Sequence, residues 1–335
     1  MKERTSKRPA QGRFKIWIMT TALLMTLSLT AYARRITTTG YFFSPQSQLT
    51  SSCTPQHKRA DFDGDCKTDI SVFNRSTGYW TSFNSSNRQF VDIKFGQSGD
   101  IATPGDYNGD GKTDRAVFRP GIATWYIATD TGELLASVVF GLSGDIPVAR
   151  DYDGDGKTDI AVFRPSNAFW YILDRSNGSV TYVQWGVTGD RVVPGDYDGD
   201  GKANVAVFRP SHAKWYILRS DGGFDAVEFG VESDWPVQAD YDGDSKTDVA
   251  IFRPGTGEWA ILNSSTGSAT IITHGVSGDR PVPGDYDGDG KADIAVQRPS
   301  NGYWYILNSS NGSNTTERFV HNDFPVPGGY LTPLY

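Results

Sequence analysis

Asp151, Asp153, Asp155 and Asp159 occupy positions 1, 3, 5 and 9 of the stretch DYDGDGKTD. Gly154 and Gly156 let the backbone curl tightly between them, so the four carboxylates can converge on one point. Left alone, such a group would repel itself and titrate abnormally. A hard cation that takes many oxygen ligands removes the repulsion, and calcium fits the donor set best. The backbone carbonyl of Lys157, at position 7, would add another oxygen. This stretch holds no Cys or His, which argues against zinc and copper. It is not an EF-hand loop, because position 12 is Val162 where that loop needs a bidentate Glu. A solvated acidic turn is the alternative reading of a single copy.

The stretch is not single. Similar loops begin at Asp61, Asp106, Asp151, Asp196, Asp240 and Asp285, in steps of 45, 45, 45, 44 and 45 residues. The expected calcium ligands are therefore Asp61, Asp63, Asp65 and Asp69 in loop one, and Asp106, Asn108, Asp110 and Asp114 in loop two. Loop three has the four aspartates above. Loop four offers Asp196, Asp198, Asp200 and Asn204; loop five Asp240, Asp242, Asp244 and Asp248; loop six Asp285, Asp287, Asp289 and Asp293. The position-7 carbonyls belong to Lys67, Lys112, Lys157, Lys202, Lys246 and Lys291. Asn108 and Asn204 offer oxygen without charge, so loops two and four should bind more weakly. Up to six calcium ions are expected.

The elements that hold these loops must repeat as well. A Trp recurs 19 residues after each loop start, at Trp80, Trp125, Trp170, Trp215, Trp259 and Trp304. An Arg-Pro pair recurs at Arg119, Arg164, Arg209, Arg253 and Arg298, while the first copy has Asn74-Arg75. Each period contains four strand candidates, in copy three Ile146–Tyr152, Ile160–Arg164, Phe169–Leu173 and Val180–Trp185, separated by turn residues. No segment shows a sustained helical period. Four strands per period of about 45 residues describe a propeller blade, and a closed ring also removes the edges that an open β-solenoid would leave. The fold class is therefore all-β, a propeller of four-stranded blades with the calcium loop between first and second strand. Six loops favour six blades. The C-terminal segment 323–331 reads as a closing first strand, yet residues 57–62 also resemble a first strand for copy one. A partial seventh blade using Arg35–Phe43 is the alternative.

Residues 1–33 read as a signal peptide: a basic leader, an apolar run from Ile16 to Thr30, and Ala31-Tyr32-Ala33 as the cleavage signal. A single membrane anchor is the other reading, but the run is short for a span. Residues 34–56 read as a linker or extra strand, and 57–335 as the propeller. Removing residues 1–33, with six Lys or Arg and one Glu, takes the formal charge from −7 to −12. That excess disfavours nucleic acid and anionic membranes as partners. The two cysteines, Cys53 and Cys66, can form one disulfide in an oxidising compartment or remain thiols. Asn177 and Asn308 open sequons that matter only in a glycosylating host.

The run from Phe140-Gly141 through DIPVARDYDGDGKTDIAVFRP to Pro165 resembles the FG-GAP (VCBS-type) repeat, the calcium-loop blade of the integrin α-subunit head and of many exported bacterial proteins. The resemblance covers residues 57–330 and implies the fold and the calcium. It leaves activity open, since the family includes adhesive heads, lectin-like propellers and non-catalytic modules of enzymes. Arg-Pro replaces the Gly-Ala-Pro of the integrin motif, which sets this surface apart.

For catalysis a ring needs one asymmetric blade with a convergent acid, base or nucleophile. Here His57, His212, His274 and His321 fall at unrelated repeat positions. The Trp residues are read as core, with sugar platforms as the alternative. The Arg residues are read as interblade ion pairs with Asp100, Asp145, Asp190, Asp234 and Asp279, with ligand capture as the alternative. The expected function is an exported, monomeric, calcium-stabilised binding or adhesion module for a glycan or extracellular protein. The rivals are a polysaccharide lyase or hydrolase on the same scaffold, and a passive structural domain.

Overall fold

The computed structural model describes residues 60–319 and 323–326. The expected leader 1–33, the segment 34–56 with Arg35–Phe43, and Cys53 lie outside the described residues. Alternation in the strand sequences explains the architecture. In IAVFR, Ile160 and Val162 share one face and Ala161 and Phe163 the other, and all four are buried. A strand buried on both faces must lie in a sheet packed between two others.

Six four-stranded antiparallel sheets result, with no α-helix among the described residues. In blade three the strands are Ile146–Pro147, Ile160–Arg164, Phe169–Leu173 and Val180–Gln184, paired in that order. The first strand is shorter than its sequence suggests. Beyond Pro147 the pairing thins to the Val148 N–H donating to the Ala161 carbonyl (2.8 Å) and one isolated bridge, Arg150 to Asp159.

Each blade turns its Trp face onto the Ile/Val face of the next. Phe118 and Trp125 of blade two pack with Ile160 and Val162 of blade three, and Phe163 and Trp170 with Val205 and Val207 of blade four. The series ends with Trp304 of blade six against Ile70 and Val72 of blade one, so the stack closes on itself. The six Trp residues are at most 1% exposed. They are core, and not sugar platforms. In blades one to five the indole N–H donates to a carbonyl at the end of the fourth strand, as Trp170 Nε1 does to Trp185 (3.0 Å).

Blade one is built from both ends of the described chain. Its second to fourth strands are Ile70–Asn74, Tyr79–Phe83 and Phe90–Lys94, and its first strand is Phe324–Pro325, paired through Val72 to Pro325 and Phe73 to Phe324. The expectation that residues 57–62 supply this strand is corrected: Ala60–Phe62 form none, and residues 57–59 lie outside the described residues. Ala60 keeps only the bond that closes the loop hairpin, accepting from Asp69 N–H (2.8 Å). With blade one completed in this way, the ring has six blades and the described residues hold no seventh sheet.

Candidate metal centres

In blades two to six the acidic loop connects the first and second strands at the inner edge of the sheet, and in blade one it leads into the second strand. In loop three the backbone wraps its own carboxylates. Asp151 accepts N–H bonds from Gly154 (2.6 Å) and Gly156 (2.8 Å), Asp153 from Asp155 (2.9 Å), Asp155 from Lys157 (2.9 Å), and Asp159 from Tyr152 (2.9 Å). Gly154 and Gly156 both have φ near +82°, the left-handed region that glycine occupies without steric cost. Loops one and five put Cys66 (φ 72°) and Ser245 (φ 68°) at the second of these positions.

The loops also hold one another. The position-8 N–H of each loop donates to the position-1 carbonyl of the previous one: Thr113 to Asp61, Thr158 to Asp106, Ala203 to Asp151, Thr247 to Asp196, Ala292 to Asp240, and Thr68 back to Asp285, all at 2.6 to 2.7 Å. The position-7 lysine side chain of each loop lies over the position-4 glycine of the one before, from Lys112 on Gly64 round to Lys67 on Gly288. The six candidate centres therefore form one continuous ring at a single end of the propeller. The Arg-Pro pairs sit at the opposite end, one five-residue strand or about 17 Å away.

In five loops, one oxygen from each of three aspartates falls within 4.8 Å of the others. The trios are Asp61, Asp63 and Asp69; Asp151, Asp153 and Asp159; Asp196, Asp198 and Asp200; Asp240, Asp242 and Asp248; and Asp285, Asp287 and Asp289. Position 9 is buried in all six loops. Burial, opposed by backbone N–H donors and reinforced by the neighbouring aspartates, raises Asp61, Asp248 and Asp293 to about 6, Asp69 and Asp159 to about 7, and Asp114 to about 8. Asp151 and Asp196 are raised for the same reason. Asp198 Oδ1 is buried without a hydrogen-bond partner. An all-oxygen, partly buried, self-repelling donor set with an orphaned carboxylate oxygen fits a hard cation.

A seryl cover over these loops was not foreseen. In loops one, five and six, two consecutive serines from the turn between third and fourth strands reach the carboxylates. Ser85 donates its N–H to Asp69 (2.7 Å) and its hydroxyl to Asp65, and Ser86 donates its hydroxyl to Asp63 (2.7 Å). Ser264 with Ser265 and Ser309 with Ser310 repeat the pattern. The recurring Asn-Ser-Ser at 84–86, 263–265 and 308–310 was its available signal.

Loop two differs. Its carboxylates are not among the gathered trios, and Asn108 Nδ2 donates to Asp110 (3.1 Å) and Asp114 (3.1 Å). Asp130 stands where loops one, four, five and six have Ser85, Ser220, Ser264 and Ser309, and pairs with Lys112 at 2.9 Å. Beneath it Arg115, 1% exposed, replaces the aliphatic residue of the other copies. Its guanidinium lies 4.5 Å from the Phe62 ring centre and donates to Ser82 Oγ (3.2 Å) and to the Asp130 carbonyl.

The expected Arg partners are correct, but the pairs are not interblade. Arg119, Arg164, Arg209, Arg253 and Arg298 each clamp Asp100, Asp145, Asp190, Asp234 and Asp279 in bidentate geometry at 2.8 to 3.0 Å. Each Asp closes the turn that enters the same blade, so the pair ties that turn down. In blade one Asn74 replaces Arg and donates to Asp323 (2.9 Å), the corresponding acid of the closing strand. Cys66 is disulfide-bonded; Cys53, its expected partner, lies outside the described residues. His212 is exposed beside Ser211, and His274 meets the Tyr305 carbonyl (3.1 Å) on another blade; His57 and His321 lie outside the described residues. No helix among the described residues is long and apolar enough to cross a membrane.

Residues 61–117, 151–207 and 240–296, together half of the chain, match the family model of the FG-GAP-like repeat. No curated protein matches the sequence. Among solved structures the fold is similar to TolB from Acinetobacter baumannii, with 17% identity, 80% of this chain and 67% of that one covered, and a TM-score of 0.54. It is also similar to an Agrocybe aegerita lectin described for specific recognition of non-reducing terminal N-acetylglucosamine, with 16% identity, coverages of 78% and 92%, and a TM-score of 0.50. Virginiamycin B lyase from Staphylococcus aureus follows at 10% identity, coverages of 76% and 81%, and a TM-score of 0.49. At these identities the likeness is one of fold.

Proposed function

Because the chain belongs to the FG-GAP-like repeat family, we propose that it is an exported, calcium-stabilised propeller that binds an extracellular glycan without converting it. The observation that carries the calcium reading is the gathering of three aspartate oxygens within 4.8 Å in five of the loops. Calcium would supply positive charge there, and the aspartates with the position-7 carbonyls would hold it. The protein's own part is to present those oxygens from a backbone already locked by N–H bonds and by the next loop. Loops one, five and six, with four aspartates and a seryl cover, are the strongest candidates.

The binding reading rests on what the carboxylates do not do. They are committed to the loops, and the histidines of the described residues sit on separate blades, one of them bonded to a carbonyl. Six nearly equivalent blades suit a repetitive ligand, for which several weak contacts add by avidity. The disulfide at Cys66 agrees with an oxidising, extracellular setting, and a monomer suffices because the ring itself is multivalent. A glycan array probed with the calcium-loaded chain tests this: saturable binding to a defined glycan class is expected. Turnover of a bound polysaccharide, seen as new reducing or unsaturated ends, would replace the binding reading with an enzymatic one.

A further inference from the structure

The end of the propeller opposite the acidic loops carries an arc that the repeat does not foretell. The first residue of each inner strand stands at the mouth of the ring there, in the order Ile101, Ile146, Arg191, Trp235, Arg280 and Phe324. Two neighbours are aliphatic. The other four alternate guanidinium and aromatic ring, and each is at least partly exposed. Arg191 donates to the Asp234 carbonyl (2.5 Å). Arg280 donates to the Asp323 carbonyl (3.2 Å) and to Gln297 (3.3 Å), with its guanidinium 5.4 Å from the Phe324 ring centre. Each arginine thus leans toward the next blade and is held in place.

Between blades five and six the arc opens into a cleft of about 360 Å³, lined by Trp235, Pro254, Gly255, Ser277, Gly278 and Arg280 among others. Nothing lies within 4 Å of where a Cβ on Gly255 or Gly278 would stand, so the space is open. The acid in its wall, Asp279, is 1% exposed and already clamped by Arg298 at 2.8 Å. Arg280 lines the cleft, and among the described residues no carboxylate forms an ion pair with it. A flat apolar ring beside a planar donor fork is suited to a ligand with one apolar face and one carboxylate.

We propose that this cleft binds an acidic saccharide of the uronate class, its C–H face on Trp235 and its carboxylate on Arg280. The inference rests on the glycan-binding reading and names the ligand class and the place. The net charge of −7 disfavours a long polyanion of either kind, so the ligand expected is a short acidic saccharide.

Calorimetric titration of the calcium-loaded full chain with a short oligogalacturonate, and with its fully methyl-esterified form, tests it. The free acid is expected to bind and the ester to bind far more weakly. Arg280→Gln should weaken binding about tenfold or more, as loss of a charge-assisted contact does. Gly255→Trp, which fills open space and leaves the core alone, should abolish binding with an unchanged melting temperature. Equal binding of acid and ester, or acid binding untouched by both substitutions, overturns the cleft and leaves the glycan-binding reading intact. Preference for a single-stranded oligonucleotide over the galacturonate overturns it too. Failure of both sugars here and of every glycan on an array overturns the cleft and the parent reading together.

Discussion

The interlocked loops predict a specific coupling between blades two and three. A Cβ on Gly105 would stand 2.5 Å from Thr158 Oγ1, 2.8 Å from its Cγ2 and 3.0 Å from its Cβ. Thr158 cannot retreat easily, because its N–H donates to the Asp106 carbonyl at 2.7 Å and that bond is one link of the ring. Gly105→Ala is therefore an overpacking change and should cost about 2 kcal/mol, lowering Tm by about 4 °C for a domain of this size. Thr158→Ala removes the two nearest of these atoms, Oγ1 and Cγ2, and leaves only its Cβ at 3.0 Å. The double variant should recover most of the loss, a coupling of about 1–2 kcal/mol between residues 53 positions apart in sequence. Thermal melts of the two single variants and the double variant complete the cycle. Additive losses would refute the interlock. Four other copies contain this pairing in miniature: where Gly195 and Gly284 precede a loop, Thr247 and Thr68 face them, and where Arg150 and Ala239 do, Ala203 and Ala292 stand opposite; in the first copy Ala60 faces Thr113 but takes the left-handed φ of 61°.

Arg209→Ala should destabilise the fold by about 3 kcal/mol, because it strands the fully buried Asp190 carboxylate; a urea midpoint equal to that of the parent chain would contradict the clamp. Ser245→Gly should stabilise by about 1 kcal/mol, since Ser245 sits at φ 68° where loops three, four and six have glycine with free space above it, and denaturant titration reads the change. In chelator, the raised carboxyls of Asp69, Asp114 and Asp159 bind protons more tightly in the folded state than in the unfolded chain. Their burial penalty is therefore absent below about pH 4, grows as pH rises, and levels off at about 7 to 8, so the chelated protein should melt at a higher temperature at pH 5.5 than at pH 8. Calcium favours the ionised carboxylates, so its apparent affinity should move the other way, and a flat calcium affinity between those pH values would count against the ligands named.

The period of the repeat made the blades legible before any coordinates. Ile160 and Val162 alternate with Ala161 and Phe163 as a doubly buried strand must, and the Arg209–Asp190 partnership follows from two residues recurring together. The parts that were not legible arise between elements. The first strands stop after two residues, in Ile101–Ala102 as in Ile146–Pro147, although the apolar pattern continues. The interblade reading of the Arg pairs failed because sequence order does not say which blade a connecting turn packs against. The seryl cover needs the turn after Phe83 to fold back on the loop before Ile70, a relation visible only once both are in one sheet. Arg115 broke the aliphatic pattern openly in the sequence, but its place beneath loop two depends on Phe62 and Ser82 of the neighbouring blade. At the Arg-Pro end, Trp235 and Arg280 occupy a repeat position that is Ile in two copies and Arg or Phe in the other two, and a reading centred on what repeats passes over what varies.

The central claim is that these loops are cation sites holding a closed ring together. Thermal unfolding of the full chain in millimolar calcium, then in excess chelator, tests it most directly. Each site occupied at about a hundred times its dissociation constant contributes about 2.7 kcal/mol, so a ring with several filled loops should melt well above its chelated form, and calcium restored in excess should return the transition. Coincident melting curves with and without calcium would contradict the account.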